Sequence, residues 1–236
     1  MEWIFSPEAW VALATLTALE IVLGIDNIVF ITILVGRLPK AQRQLARVLG
    51  LGFAMGTRIL LLLLIFWISR LTAPLFSLGE TEISGRDLIL IGGGLFLLVK
   101  ATLEIHSDIE GGGHKPPSVS AAGFYSIIMQ IGIIDIVFSL DSVITAVGMA
   151  DDRAVMIIAI VLAVLVMMFA ARPIGDYVDA HPTIKMLALA FLVLVGVALI
   201  AEGTGVHIEK GFIYFAMAFS LAVEMLNLRL RKKREH

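Results

Sequence analysis

The sequence predicts an all-α, polytopic membrane protein: seven transmembrane helices, arranged as two inverted three-helix repeats plus one extra helix. Three observations carry this. Hydrophobic residues make up 59% of the chain and charged residues 16%, too little polar surface for a soluble domain of this length. Apolar stretches near the roughly 20 residues that cross a bilayer recur along the whole chain. One acidic motif occurs twice, with an odd number of crossings between its copies.

The spans run from about Ala9 to Val35, Val48 to Ser69, Asp87 to Leu103, Ala122 to Val147, Ala154 to Ala171, Ile184 to Ala201 and Gly211 to Leu228. The first and fourth are longer than a straight crossing needs, as a tilted or partly unwound helix would be. Together they form one transmembrane domain over residues 1–236. Repeat one lies at about 9–104, a cytoplasmic linker at 105–120, repeat two at 121–202, the seventh helix at 211–228 and a basic tail at 229–236. The linker is rich in glycine and proline, reading Glu110-Gly111-Gly112-Gly113-His114-Lys115-Pro116-Pro117, which marks a flexible connection. Basic residues set the orientation. Arg37, Lys40, Arg43 and Arg47 fill the first loop, and Arg229, Arg231, Lys232, Lys233 and Arg234 fill the tail. Both are expected in the cytoplasm, with the N-terminus outside a bacterial inner membrane. The N-terminus has no basic stretch before its apolar run and is not expected to be a cleaved signal peptide.

Composition excludes several classes. A net charge of −2 implies no bulk attraction to nucleic acid, and the absence of cysteine removes disulfides, thiolate metal sites and cysteine nucleophiles. No GxxxxGK[ST] phosphate loop is present.

The motif reads Glu20-Ile21-Val22-Leu23-Gly24-Ile25-Asp26-Asn27 in its first copy and Asp135-Ile136-Val137-Phe138-Ser139-Leu140-Asp141-Ser142 in its second. Each sits in the middle of an apolar span, where a carboxylate costs a few kcal/mol or more and marks a functional site. The copies lie in spans one and four, three spans from the start of one to the start of the other, so they cross in opposite senses. Inverted repeats with a midplane site between them are characteristic of transporters. Residues seven apart share a helix face, so Glu20 lies with Asn27 and Asp135 with Ser142. Residues six apart do not. If Asp26 and Asp141 are to face the same site, the helix is expected to break or overwind near Gly24 and Ser139, which occupy matching places in the interval.

The candidate site is Glu20, Asp26, Asn27, Asp135, Asp141 and Ser142, with Arg58 in the second span as a counter-charge. Every ligand atom is oxygen, which favours Mg, Ca or Mn. Four carboxylates around one dication cannot all stay ionised in a low dielectric, so protons are expected to share the site. No tightly bound cofactor is implied; the cation is cargo. His106, Asp108, Glu110 and His114 in the linker offer donors for metal sensing, with a solvated polar loop as the simpler reading. Arg172 and Lys100, near span ends, are read as snorkelling side chains. Gly92-Gly93-Gly94 is read as close helix packing.

The paired motifs and inverted seven-span plan resemble the TerC family of integral membrane proteins, within the LysE-type transporter superfamily, over nearly the whole chain. The resemblance implies export of manganese or metal supply to secreted enzymes; tellurium resistance is also associated with the family. Some members carry soluble cytoplasmic domains after the membrane part, and since this chain stops at His236 that layer is expected to be missing. The expected function is proton-coupled export of a divalent cation, manganese foremost. Export of an amino acid or other small solute, and metal loading of secreted proteins without transport, are the alternatives. An enzyme is not expected, because no histidine or cysteine joins the acids within the membrane.

Overall fold

A computed structural model describes residues 6–64, 74–78, 81–110, 121–149 and 152–234; the side chains at a few helical positions, Asp26 and Asp141 among them, lie outside that description. The described helices are α1 (Pro7–Gly36), α2 (Lys40–Leu63), α3 (Gly85–Ile109), α4 (Ala121–Met149), α5 (Arg153–Ala180), α6 (Pro182–Gly203) and α7 (Lys210–Arg234). All seven contain stretches long and apolar enough to cross a membrane.

Local chemistry explains most of the boundaries. The Ser6 hydroxyl accepts from the Ala9 amide at 3.4 Å, and Pro7 follows it at the first helical position, where its missing N–H is no loss. Ser84 and Asp87 form a reciprocal capping box at the start of α3. The second helix starts at Lys40 rather than at the predicted Val48. Its first two turns are basic and amphipathic, so they escape a search for apolar runs. Within them Arg43 donates from Nε to the Leu38 carbonyl at 2.9 Å and from Nη2 to the Gly36 carbonyl at 2.7 Å, taking up carbonyls left over at the end of α1. The fifth helix continues past the predicted end at Ala171 to Ala180, carrying Pro173 in its interior. The third runs to Ile109, so the first residues of the predicted 105–120 linker are helical; residues 111–120 lie outside the described ones, as do 65–69 at the end of the predicted second span.

A short antiparallel ribbon, β1 (Pro74–Leu78) with β2 (Thr81–Ser84), precedes α3. It is an addition to the all-α expectation. The sequence signal for it is Gly79-Glu80, a glycine-first pair of the kind that favours tight hairpin connections, between two short stretches.

The chain divides into two compact units, each drawing helices from both predicted repeats. One comprises residues 1–73 and 115–177, the other residues 74–114 and 178–236. In the first unit, α2 and α4 interlock. Gly50 lies under Ile131, and Gly132 lies under the Phe53 ring, so that an added Cβ at either would collide. Gly24 on α1 is covered by the Met167 thioether of α5 in the same way. In the second unit, α3 and α6 run antiparallel with their backbones in close approach. A Cβ on Gly94 would fall 2.6 Å from the Gly196 carbonyl oxygen, and one on Gly203 would fall 2.7 Å from that of Asp87. Gly94 thus fulfils the packing reading, whereas Gly92 faces open space. α7 packs on α6 and leaves Phe212, Phe215 and Phe219 exposed, a face suited to lipid.

The expected helix break is not found. Both α1 and α4 run unbroken through their motifs. Gly24 serves close packing against Met167. The Ser139 hydroxyl donates to the carbonyl of Asp135, one turn back, a bond that a helical backbone accommodates.

Candidate functional site

Three helices of the first unit each deliver one charged side chain to a common point. Glu20 comes from the middle of α1, Arg58 from α2 and Asp135 from the middle of α4. All three are buried, at 2%, 2% and 3% exposure. The Arg58 guanidinium lies side-on to Asp135, with Nε 3.0 Å and Nη2 2.7 Å from Oδ1 and Nε 3.2 Å from Oδ2. Its third nitrogen, Nη1, donates to Glu20 Oε2. The planar fork is therefore spent on two carboxylates at once, a geometry that a lysine ammonium cannot reproduce.

Asp135 is the more heavily bonded acid. Besides Arg58, the Asn27 amide donates to its Oδ1 at 2.9 Å. The Ser139 hydroxyl lies 3.1 Å from Oδ2, sharing its one proton with the Asp135 backbone carbonyl. The Thr57 hydroxyl lies 3.4 Å from Oδ2 and 2.8 Å from the Ala54 carbonyl. Glu20 is bonded through Oε2 only; among the described residues Oε1 has no hydrogen-bond partner. The guanidinium brings one positive charge to the two acids, and so does part of the neutralising that protons were expected to do.

Of the six predicted ligands, Glu20, Asn27 and Asp135 meet, and Arg58 meets them. Ser142 is buried, but its hydroxyl donates back to the Ser139 carbonyl at 3.2 Å, as serines in apolar helices do, and it is not joined to the cluster by a hydrogen bond. The Asp26 and Asp141 side chains lie outside the described residues. Among the described residues no group of three or more His, Asp or Glu is placed to hold a metal. Thr57 was missed in the sequence; it precedes Arg58, and an intramembrane arginine invites a search of its neighbours. Ser139 was singled out only as the partner of Gly24.

Among the described residues the linker donors do not gather at one point. Asp108 pairs with Lys185 of α6 at 2.7 Å, His106 lies 3.1 Å from the exposed Glu110, and His114 is outside the described residues. Glu104, at the very end of the predicted repeat one and just past the predicted third span, is a buried acid 3.8 Å from Lys185. The spacing Leu90, Leu97, Ala101, Glu104 puts it on the packed face of α3 and could have shown this. Arg172 is mostly exposed, 3.8 Å from Asp176. Lys100 lies 5.7 Å above the Phe96 ring.

The profile of the "Integral membrane protein TerC family" matches residues 5–236. This chain belongs to the TerC family. Among its relatives, a Haemophilus influenzae protein called "UPF0053 protein" is 62% identical over 232 residues, covering 98% of both chains. The Escherichia coli K12 "UPF0053 inner membrane protein YgdQ" is 58% identical, covering 98% of this chain and 97% of the relative. The E. coli "UPF0053 protein YegH" is 49% identical over 96% of this chain but only 43% of its own length, so some TerC-family proteins are more than twice as long. No solved structure matches. The chain is thus a TerC-family membrane protein with charged groups buried within its apolar helices, where each is costly.

Proposed function

We propose that the chain exports a divalent cation across the bacterial inner membrane, manganese before calcium or magnesium, in exchange for protons. One observation carries the reading: corresponding acids of the two motif copies, Glu20 and Asp135, share one buried cluster although they stand 115 positions apart in the sequence. Their oxygens, with the Asn27 amide and the Ser139 and Thr57 hydroxyls close by, make a hard-donor set suited to such cations. The pairing of α1 with α4 and of α3 with α6 supports two inverted repeats, since a pseudo-two-fold axis brings equivalent helices together. The relative named an inner membrane protein supports the location, and the basic first loop and tail support an N-terminus outside and a C-terminus in the cytoplasm.

Export of a dication against an inside-negative potential costs roughly 4 to 5 kcal/mol per 100 mV, and protons held by the carboxylates supply the drive. Export of an amino acid has less support, because all three guanidinium nitrogens of Arg58 are spent on acids and leave it no donor for a substrate carboxylate.

In proteoliposomes an imposed pH gradient should drive Mn²⁺ movement, and imposed Mn²⁺ should move protons. Mn²⁺ flux that ignores the gradient and persists with protonophore would overturn the antiport. Mn²⁺ binding without flux would favour a metal-loading partner. Cysteine labelling tests the orientation cleanly, since the native chain has none; an impermeant reagent should fail to reach a tail cysteine from outside.

A further inference from the structure

We propose that Arg58 is a tethered stand-in for the transported cation: it occupies the acid pair when no metal is bound and must leave when metal enters. This rests on the cation-transport reading and adds how the empty site is kept closed.

The geometry carries it in three steps. First, the guanidinium lies against both acids, side-on to Asp135 and through Nη1 to Glu20, where a bridging cation would sit. Second, charge forbids joint occupancy. Two carboxylates with Arg58 carry −1, and two carboxylates with a dication carry zero. Both cations together would leave +1 in a buried site, with like charges in contact. Third, the acids differ in access. Asp135 is saturated by Arg58, Asn27 and hydroxyl donors, whereas Glu20 Oε1 has no hydrogen-bond partner among the described residues. An entering dication meets Glu20 first and displaces Arg58 from the pair. On release Arg58 returns and the exchanged proton takes up the remaining charge of the pair, so the metal-free protein can change its access without bare carboxylates facing apolar surroundings.

The test uses the full chain in proteoliposomes with Mn²⁺ as probe, reading three quantities: Mn²⁺ affinity, Mn²⁺-for-Mn²⁺ exchange and net Mn²⁺ flux. Arg58→Gln removes the competitor. It should raise Mn²⁺ affinity about tenfold or more, keep exchange, and lower net flux at least about tenfold, because the empty form can no longer return. A purely structural arginine would not separate exchange from net flux. Arg58→Lys keeps a charge but not the fork, so it should bind Mn²⁺ more tightly than the native protein and retain part of the net flux; it also serves if the Gln variant does not fold. Native affinity in Arg58→Lys, or in Arg58→Gln native affinity with native net flux, would overturn the stand-in role, as would weaker Mn²⁺ binding by a folded Arg58→Gln protein. If the native protein neither binds nor moves Mn²⁺, the cation reading itself fails and takes this one with it. That result shows in the unmodified protein, so the two failures are distinguishable.

Discussion

Charged side chains meet in both compact units, but on different terms. In the second unit they fasten the ends of one antiparallel helix pair. Lys185 pairs with Asp108 at one end of α3 and α6, and Arg86 pairs with Glu202 at 3.0 Å at the other. These groups lie at helix termini and keep some exposure, while the middle of the pair is held by glycine contacts at Gly94, Gly196 and Gly203. In the first unit the order is reversed. Apolar and glycine contacts secure α2 against α4, and besides pairs near a helix end, such as Arg172 with Asp176, a charged cluster lies within the helices, cut off from water. Helix ends can carry ion pairs at little desolvation cost. Mid-helix charges in an apolar span are expensive and unnecessary for packing, as the glycine-lined pair in the other unit demonstrates. Location along the helix thus separates ion pairs that cost little from a cluster that costs much.

The contrast makes graded predictions for thermal unfolding in metal-free detergent. Arg58→Ala leaves two buried carboxylates without their cation and should destabilise by about 3–5 kcal/mol, with added Mn²⁺ recovering much of the loss. An equal loss from Lys185→Ala would break the comparison. Asn27→Ala removes a hydrogen bond to a charged acceptor and should cost about 1.5–3 kcal/mol, while leaving the Arg58 pairs in place; no loss would mean that Asp135 is held by Arg58 alone. In the other unit, Gly94→Ala drives a methyl into the Gly196 carbonyl and should cost about 1–3 kcal/mol, whereas Gly92→Ala should be neutral or gain up to about 1 kcal/mol from helix propensity. Equal effects at the two glycines would show that the chains can spread apart. Lys185→Ala is expected at about 1 kcal/mol, and its effect should shrink in high salt while that of Arg58→Ala should not.

The seven helices were legible because a bilayer imposes length and apolarity on each crossing, and both are properties of local sequence. The amphipathic start of α2 was not, because its basic side chains look like a loop until Arg43 is seen on the carbonyls of α1. The end of α5 was missed because Arg172 and Pro173 look like a stop, although proline is tolerated within an apolar helix that neighbours support. Glu20, Asn27 and Asp135 were legible from the repeat. That Arg58 would reach both acids was foreseen as a charge but not as a geometry, which depends on how three helices cross. Ser142 shows the limit of register reasoning: it shares a face with Asp135, yet its hydroxyl is satisfied by its own helix.

The connection from α1 to α2 has a mechanical consequence. Only Arg37, Leu38 and Pro39 separate the two helices, and Arg43 clamps the carbonyls on either side of the turn. A turn closed that tightly ties the end of α1 to the start of α2. Further along, α2 is interlocked with α4 where Gly50 meets Ile131 and Phe53 covers Gly132. Arg58 is therefore restrained toward Glu20 by a covalent turn and toward Asp135 by packed side chains. The two acids come from copies of one motif but are tied to their shared guanidinium by different means, one through the chain and the other through the core.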